Sequence, residues 1–73
     1  MIEYFVTFKN DDEEISESKK EILDICRQHK KSEINQVFSK TYKKIRGEWE
    51  EDWVEILFDE RMGIDKGIKF KGG

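Results

Sequence analysis

Apolar residues recur at every second position where the chain begins: Ile2, Tyr4, Val6 and Phe8 fall on one side, Glu3, Phe5, Thr7 and Lys9 on the other. Alternation of this kind, rich in β-branched and aromatic types, predicts a strand over residues 1–9. Phe5 sits on the otherwise polar side, which implies that both faces of the strand are partly covered. The period then changes. Residues 10–14 read as an acidic turn, and from about residue 12 to 31 Ile15, Ile22, Cys26 and His29 share one helical stripe that Leu23 and Ile25 broaden. Ser18 with Glu21 has the spacing of a capping box, and Asp11 with Glu14 offers an earlier one. Arg27, Lys30 and Lys31 close the segment with the charge that a helix C-terminus favours.

Residues 32–46 satisfy two readings, and the choice decides the fold. As a helix, Ile34, Val37, Phe38, Tyr42 and Ile45 share a face, Ser32 caps the start and Gly47 ends it. As a strand, the segment from Val37 to Tyr42 has good β propensity. Arg46-Gly47 then turns it into a hairpin that sets Lys40, Lys43 and Lys44 against Trp49, Glu50 and Trp53. Beyond the turn, residues 53–58 read as a strand with both faces used, although Trp49, Trp53 and Ile56 also fit a helical period. Gly63 and Gly67 bracket a turn, and residues 67–71 alternate as a last short strand with Ile68 and Phe70 inward. The expectation is one small α+β domain over residues 1–73. It has an antiparallel sheet of three to four strands with one long helix, or two, packed on one face.

Composition narrows the function more than it names it. The 26 apolar residues are few for a chain of 73, so nearly all are needed for the core and little is left to enclose a substrate. That argues against an enzyme. One cysteine excludes an intramolecular disulfide framework, the start of the chain lacks the pattern of a secretory leader, and no apolar run approaches the ~20 residues that cross a bilayer. A cytoplasmic location without membrane contact is expected. Alanine and proline are both absent, which suggests low-GC coding of the sort found in phage and other mobile elements.

Charge comes in blocks. Residues 27–46 hold seven bases against the single acid Glu33, and residues 47–60 hold seven acids and no base. Blocks so close must neutralise each other across a turn or present opposite patches to different partners. The tract Trp49, Glu50, Glu51, Asp52 and Trp53 is the first candidate site, since indoles anchor protein interfaces while carboxylates select a basic partner. The competing reading puts both tryptophans in the core. The second candidate is Lys40, Tyr42, Lys43, Lys44 and Arg46, cations around an aromatic ring that suit a nucleic-acid strand, though the acids that follow would repel its backbone.

Other chemistry is thinner. Cys26 and His29 supply half of a zinc site, but no second Cys or His exists to complete it, so neither metal nor cofactor is expected and Cys26 reads as a buried thiol. The paired carboxylates in residues 11–14, 50–52 and 59–60 read as capping and solubilising groups. The chain ends in Gly72-Gly73 and begins with a strand, and in these two respects it resembles ubiquitin-like modifiers and small sulfur carriers. The resemblance implies a tail that threads an activating enzyme. It departs from those β-grasp domains in leading from the first strand directly into the helix.

The function expected from the sequence is that of a non-enzymatic cytosolic protein that binds and inhibits or modulates a larger host protein with a basic surface. Nucleic-acid binding is the alternative, a diglycine-tailed modifier the third reading. Short length and exposed sheet edges also permit a homodimer.

Overall fold

The computed structural model describes residues 1–72. The chain folds as strand β1 (Ile2–Phe8), strand β2 (Glu13–Ser16), helix α1 (Lys19–Arg27), a single 3₁₀ turn (Lys31–Glu33), and strands β3 (Ile34–Ile45), β4 (Glu48–Asp59) and β5 (Ile64–Asp65). All neighbours are antiparallel, in the order β2-β1-β3-β4-β5. The expected architecture is thereby overturned: five strands replace three or four, and the one α-helix has nine residues instead of about twenty.

The missing length of helix is β2. Asp11 takes a left-handed conformation (φ 71°), its N–H donates to the Phe8 carbonyl at 3.1 Å, and the Asn10 Oδ1 accepts from the Asp12 N–H at 3.0 Å. This tight loop reverses the chain and lays Ile15 opposite Phe5. The capping box expected at Asp11 and Glu14 does not form. The one at Ser18 is half-formed: its Oγ accepts from the Glu21 N–H at 3.3 Å, while the Glu21 carboxylate takes the Ser16 hydroxyl at 3.0 Å. The β-grasp departure expected from the sequence is likewise absent, because a second strand does precede the helix.

Residues 34–45 are strand, and non-local pairing explains why. A helix would set Val37 and Phe38 side by side, whereas the sheet sends them to opposite faces. Val37 faces Val6 and is fully buried, and Phe38 stacks on Phe5 with ring centroids 4.8 Å apart. The core holds Val6, Phe8, Ile34, Val37, Leu57 and Phe58 from the sheet, Ile22 and Cys26 from α1, and Phe70 from the C-terminal segment. Leu57 and Phe58 are adjacent yet both buried, because register slips by one residue between Val37 and Phe38 and makes Leu57 a β-bulge.

The expected strand at residues 67–71 is not formed. The Asp65 carboxylate accepts from the N–H groups of Gly67 at 2.9 Å and Ile68 at 3.2 Å, bending the chain so that Phe70 meets Phe58 edge-on, 5.0 Å between centroids. Ile68 and Phe70 do point inward as expected. Lys71 N–H then donates to the His29 carbonyl at 2.8 Å, so the chain is tied down to within a residue of Gly72, and Gly73 lies outside the described residues.

Next to Phe58 at the end of β4, buried Asp59 accepts from Gln36 Nε2 at 2.7 Å and from the Met62 N–H at 3.0 Å. Gln36 first, then the Met62 N–H, hold its carboxyl below the ordinary aspartate range; Gly67 first, with help from Lys31, does the same for Asp65. Depressed folded pKa values add stability above the unfolded value, near pH 4, and that increment is lost as pH falls through the folded values. Urea midpoints should therefore decline on acidification from about pH 5 to pH 2. Asp59→Asn should start lower at neutral pH and decline less steeply. An acid limb of unchanged slope in that variant would remove Asp59 from this role.

Candidate functional site

Two twelve-residue strands, about 40 Å each at 3.3 Å per residue, are far longer than the strands around them. β1 ends its pairing at Ile2 against Thr41, with one more bond from Tyr42 N–H to the Met1 carbonyl, so residues 42–51 continue as a two-stranded arm. The arm accounts for the elongated shape, 45 × 23 × 23 Å. Its tip is the turn Arg46-Gly47, with φ of 52° and 83°. Positive φ at both central positions is the pattern of a type I′ turn, the two-residue loop whose twist matches the strands it joins. Glycine adopts it freely and arginine does not. Arg46→Asn should therefore raise stability by about 0.5–1 kcal/mol, read as a higher urea midpoint, and an unchanged midpoint would mean the turn is unstrained.

The two candidate sites face one another along this arm, with Lys40, Asp52 and Trp53 at its base, where β1 still pairs with β3. Lys43 pairs in register with Glu50 and Lys44 with Trp49, as the hairpin reading expects, while Lys40 meets Val54 and Trp53 meets Thr41. A second bulge produces that offset: register slips between Thr41 and Tyr42, making Asp52 the extra residue. Lys40 Nζ lies 3.9 Å from Glu51, Lys43 Nζ lies 3.3 Å from Asp52, and Lys44 Nζ sits 5.9 Å from the Trp49 ring centroid. The blocks thus meet across the turn, with Glu51 and Asp52 the acids that pair. Partial burial first, then the carboxylates of Glu3 and Glu51, raise the Tyr42 phenol above its ordinary value.

The tryptophans are not in the core. Trp49 is 52% exposed and Trp53 63% exposed. Four residues apart on a regular strand they would share a face, but the Asp52 bulge turns Trp53 over. Cross-strand partners place Trp49 with Tyr42, Lys44 and Glu51, and Trp53 with Lys43, Glu48, Glu50 and Glu55 on the other side. The tract is therefore a two-sided blade rather than one flat patch.

One feature escaped the sequence reading. Ile15, Phe5, Phe38 and Ile56 are register neighbours in one row across four strands, on the face opposite Val6. α1 and the C-terminal segment both pack on the Val6 face. The partial cover inferred from Phe5 is thus supplied by side chains and not by a second layer: Phe38 and the Lys40 ammonium, 5.4 Å from the Phe5 ring centroid, shield a ring that is 8% exposed. Phe5 in a polar alternation was the available signal.

Cys26 is buried, and burial pushes its thiol up to about 11, the reverse of an activated nucleophile. His29 packs edge-on against Phe8 at 4.8 Å, its Nδ1 3.7 Å from Glu33. Among the described residues no group of three or more His, Cys, Asp or Glu could hold a metal ion, and no helix is long and apolar enough to cross a membrane. An open cleft of about 680 Å³ lies between the β1–β2 loop and the 3₁₀ turn, with Phe8, Asn10, Glu14, His29 and Glu33 among its walls. No protein-family model, curated protein or solved structure matches the chain.

Proposed function

We propose that this protein acts in the cytoplasm by binding a larger protein through the β3–β4 arm, without turning over a substrate. The observation that carries the reading is the pair of tryptophans, 52% and 63% exposed on a projecting hairpin. Large aromatic rings left in water on a small domain are anchors in search of a pocket, and strand pairing across the hairpin orders the backbone that carries them before a partner arrives. Residues 40–53 carry four bases and four acids, so the arm offers paired charges and two indoles, not a strong long-range field. Specificity for a basic surface rests on the carboxylates that the lysines leave unpaired. The alanine- and proline-free composition suits a product of an AT-rich mobile element acting on its host.

Nucleic-acid binding through Lys40, Tyr42, Lys43, Lys44 and Arg46 finds less support, because three of these cations are engaged by Glu51, Asp52 and Trp49. Reversing Glu50, Glu51 and Asp52 to lysine would not be a clean probe of the arm, since it sets lysine against lysine across the hairpin. The test is Trp49→Ala with Trp53→Ala: a partner retained by the native chain from host extract should be lost by a folded double variant. Retention by that variant would refute the reading.

A further inference from the structure

We propose that the outer edge of β4 receives an extended basic segment of the partner protein as an additional strand. This rests on the arm as the binding element and names the chemistry of what it binds. β5 is only two residues long and pairs with β4 at Phe58 and Asp59, with one further bond from Lys66 N–H to the Leu57 carbonyl at 2.8 Å. Among the described residues, positions 48–56 of β4 are paired on the β3 side alone, and residues 48–55 are exposed throughout. That is a row of unmatched backbone donors and acceptors about 30 Å long.

Charge selects the occupant. Glu48, Glu50, Glu51, Asp52 and Glu55 line this edge with no base among them. A second copy presenting the same edge would oppose carboxylate to carboxylate. A basic strand meets the opposite situation, and β3 shows how it is held: Lys40 to Glu51, Lys43 to Asp52, Lys44 over Trp49. The outer seam keeps a matching set in reserve. Glu48, Glu50 and Glu55 make no ion pair among the described residues, the Trp53 ring carries no cation, and register puts all four on one face. A segment with Lys or Arg at alternate positions would lay its bases along that face, while its backbone pairs with β4.

The probe is a blocked octapeptide, Lys-Thr-Lys-Val-Lys-Thr-Lys-Val, titrated at low salt into the full chain. Its counterparts carry glutamate for lysine, or N-methyl groups on alternate amides. Binding should saturate, slow amide exchange at residues 48–56, and weaken about tenfold or more with the N-methylated peptide, which keeps the charge but cannot pair. Changing Glu48, Glu50 and Glu55 together to glutamine should weaken it about tenfold while the arm stays folded. No saturation by about 1 mM peptide, equal binding of the N-methylated form, or edge protection that rises with protein concentration alone would each overturn the proposal. If the N-methylated peptide binds as well as its parent while Trp49→Ala/Trp53→Ala still loses the cellular partner, strand addition fails and the arm reading stands. Capture that survives the tryptophan changes fails the arm reading itself.

Discussion

Replacing Phe58 with alanine is expected to leave the chain at or beyond the edge of cooperative folding. The ring is 2% exposed, meets Phe70 edge-on at 5.0 Å, and has the Lys31 ammonium 5.5 Å from its centroid, so it ties β4, the C-terminal segment and the 3₁₀ turn to the core. Truncating a buried phenylalanine costs about 3–5 kcal/mol in transfer and cavity terms. A domain of 73 residues has about 4–11 kcal/mol in total at the usual stability per residue. Urea unfolding followed by far-ultraviolet circular dichroism should show the midpoint collapse in Phe58→Ala. Phe58→Leu, which keeps most of the volume, should cost about 1–2 kcal/mol and still unfold cooperatively. A loss below about 1 kcal/mol in Phe58→Ala would mean that β4 is not anchored as described.

The largest functional effect should come from Trp49→Ala with Trp53→Ala. Central aromatic anchors cost about 2 kcal/mol or more each when truncated, so the double variant should bind its partner at least a hundredfold more weakly. Its stability should barely move. Both residues are more than half exposed and neither belongs to the buried core, and Trp49 gives up a contact with Lys44, at 5.9 Å, worth about 0.5–1 kcal/mol. Because the rings lie on opposite faces of the arm, the single variants also inform. If one alone abolishes binding, the partner grips one face; comparable losses mean that it wraps the edge. Equal affinity for native and double-variant chains, with both folded, would refute the arm as the site.

Part of this was legible in the residues themselves. The alternation from Ile2 to Phe8 marks β1 because one of its faces lies against the core, and Ser18 caps α1 as its spacing to Glu21 implies. Arg46-Gly47 with opposed charge on either side offered the hairpin as one of two readings, and in it Lys43 faces Glu50 and Lys44 faces Trp49, as the structure has them. The register beyond was not legible, because one bulged residue, Asp52, shifts every later pair and turns Trp53 to the other face. β2 was hidden for a different reason. Glu13 and Glu14 are poor strand formers, and Ile15 happens to fit the stripe of the helix that follows; only pairing with β1 holds them extended.

Local chemistry in the chain thus determines where its helix is capped, that the chain can reverse at Arg46-Gly47, and that its basic and acidic blocks lie within reach of each other. Tertiary structure alone decides that residues 34–45 are strand, because both periods fit them and the hydrogen-bond partners that favour one belong to residues some thirty positions away. It also decides that the tryptophans stand in water. The core is filled from the other half of the sheet, from α1 and from Phe70, and the outer part of β4 extends past all of them with nothing left to cover it.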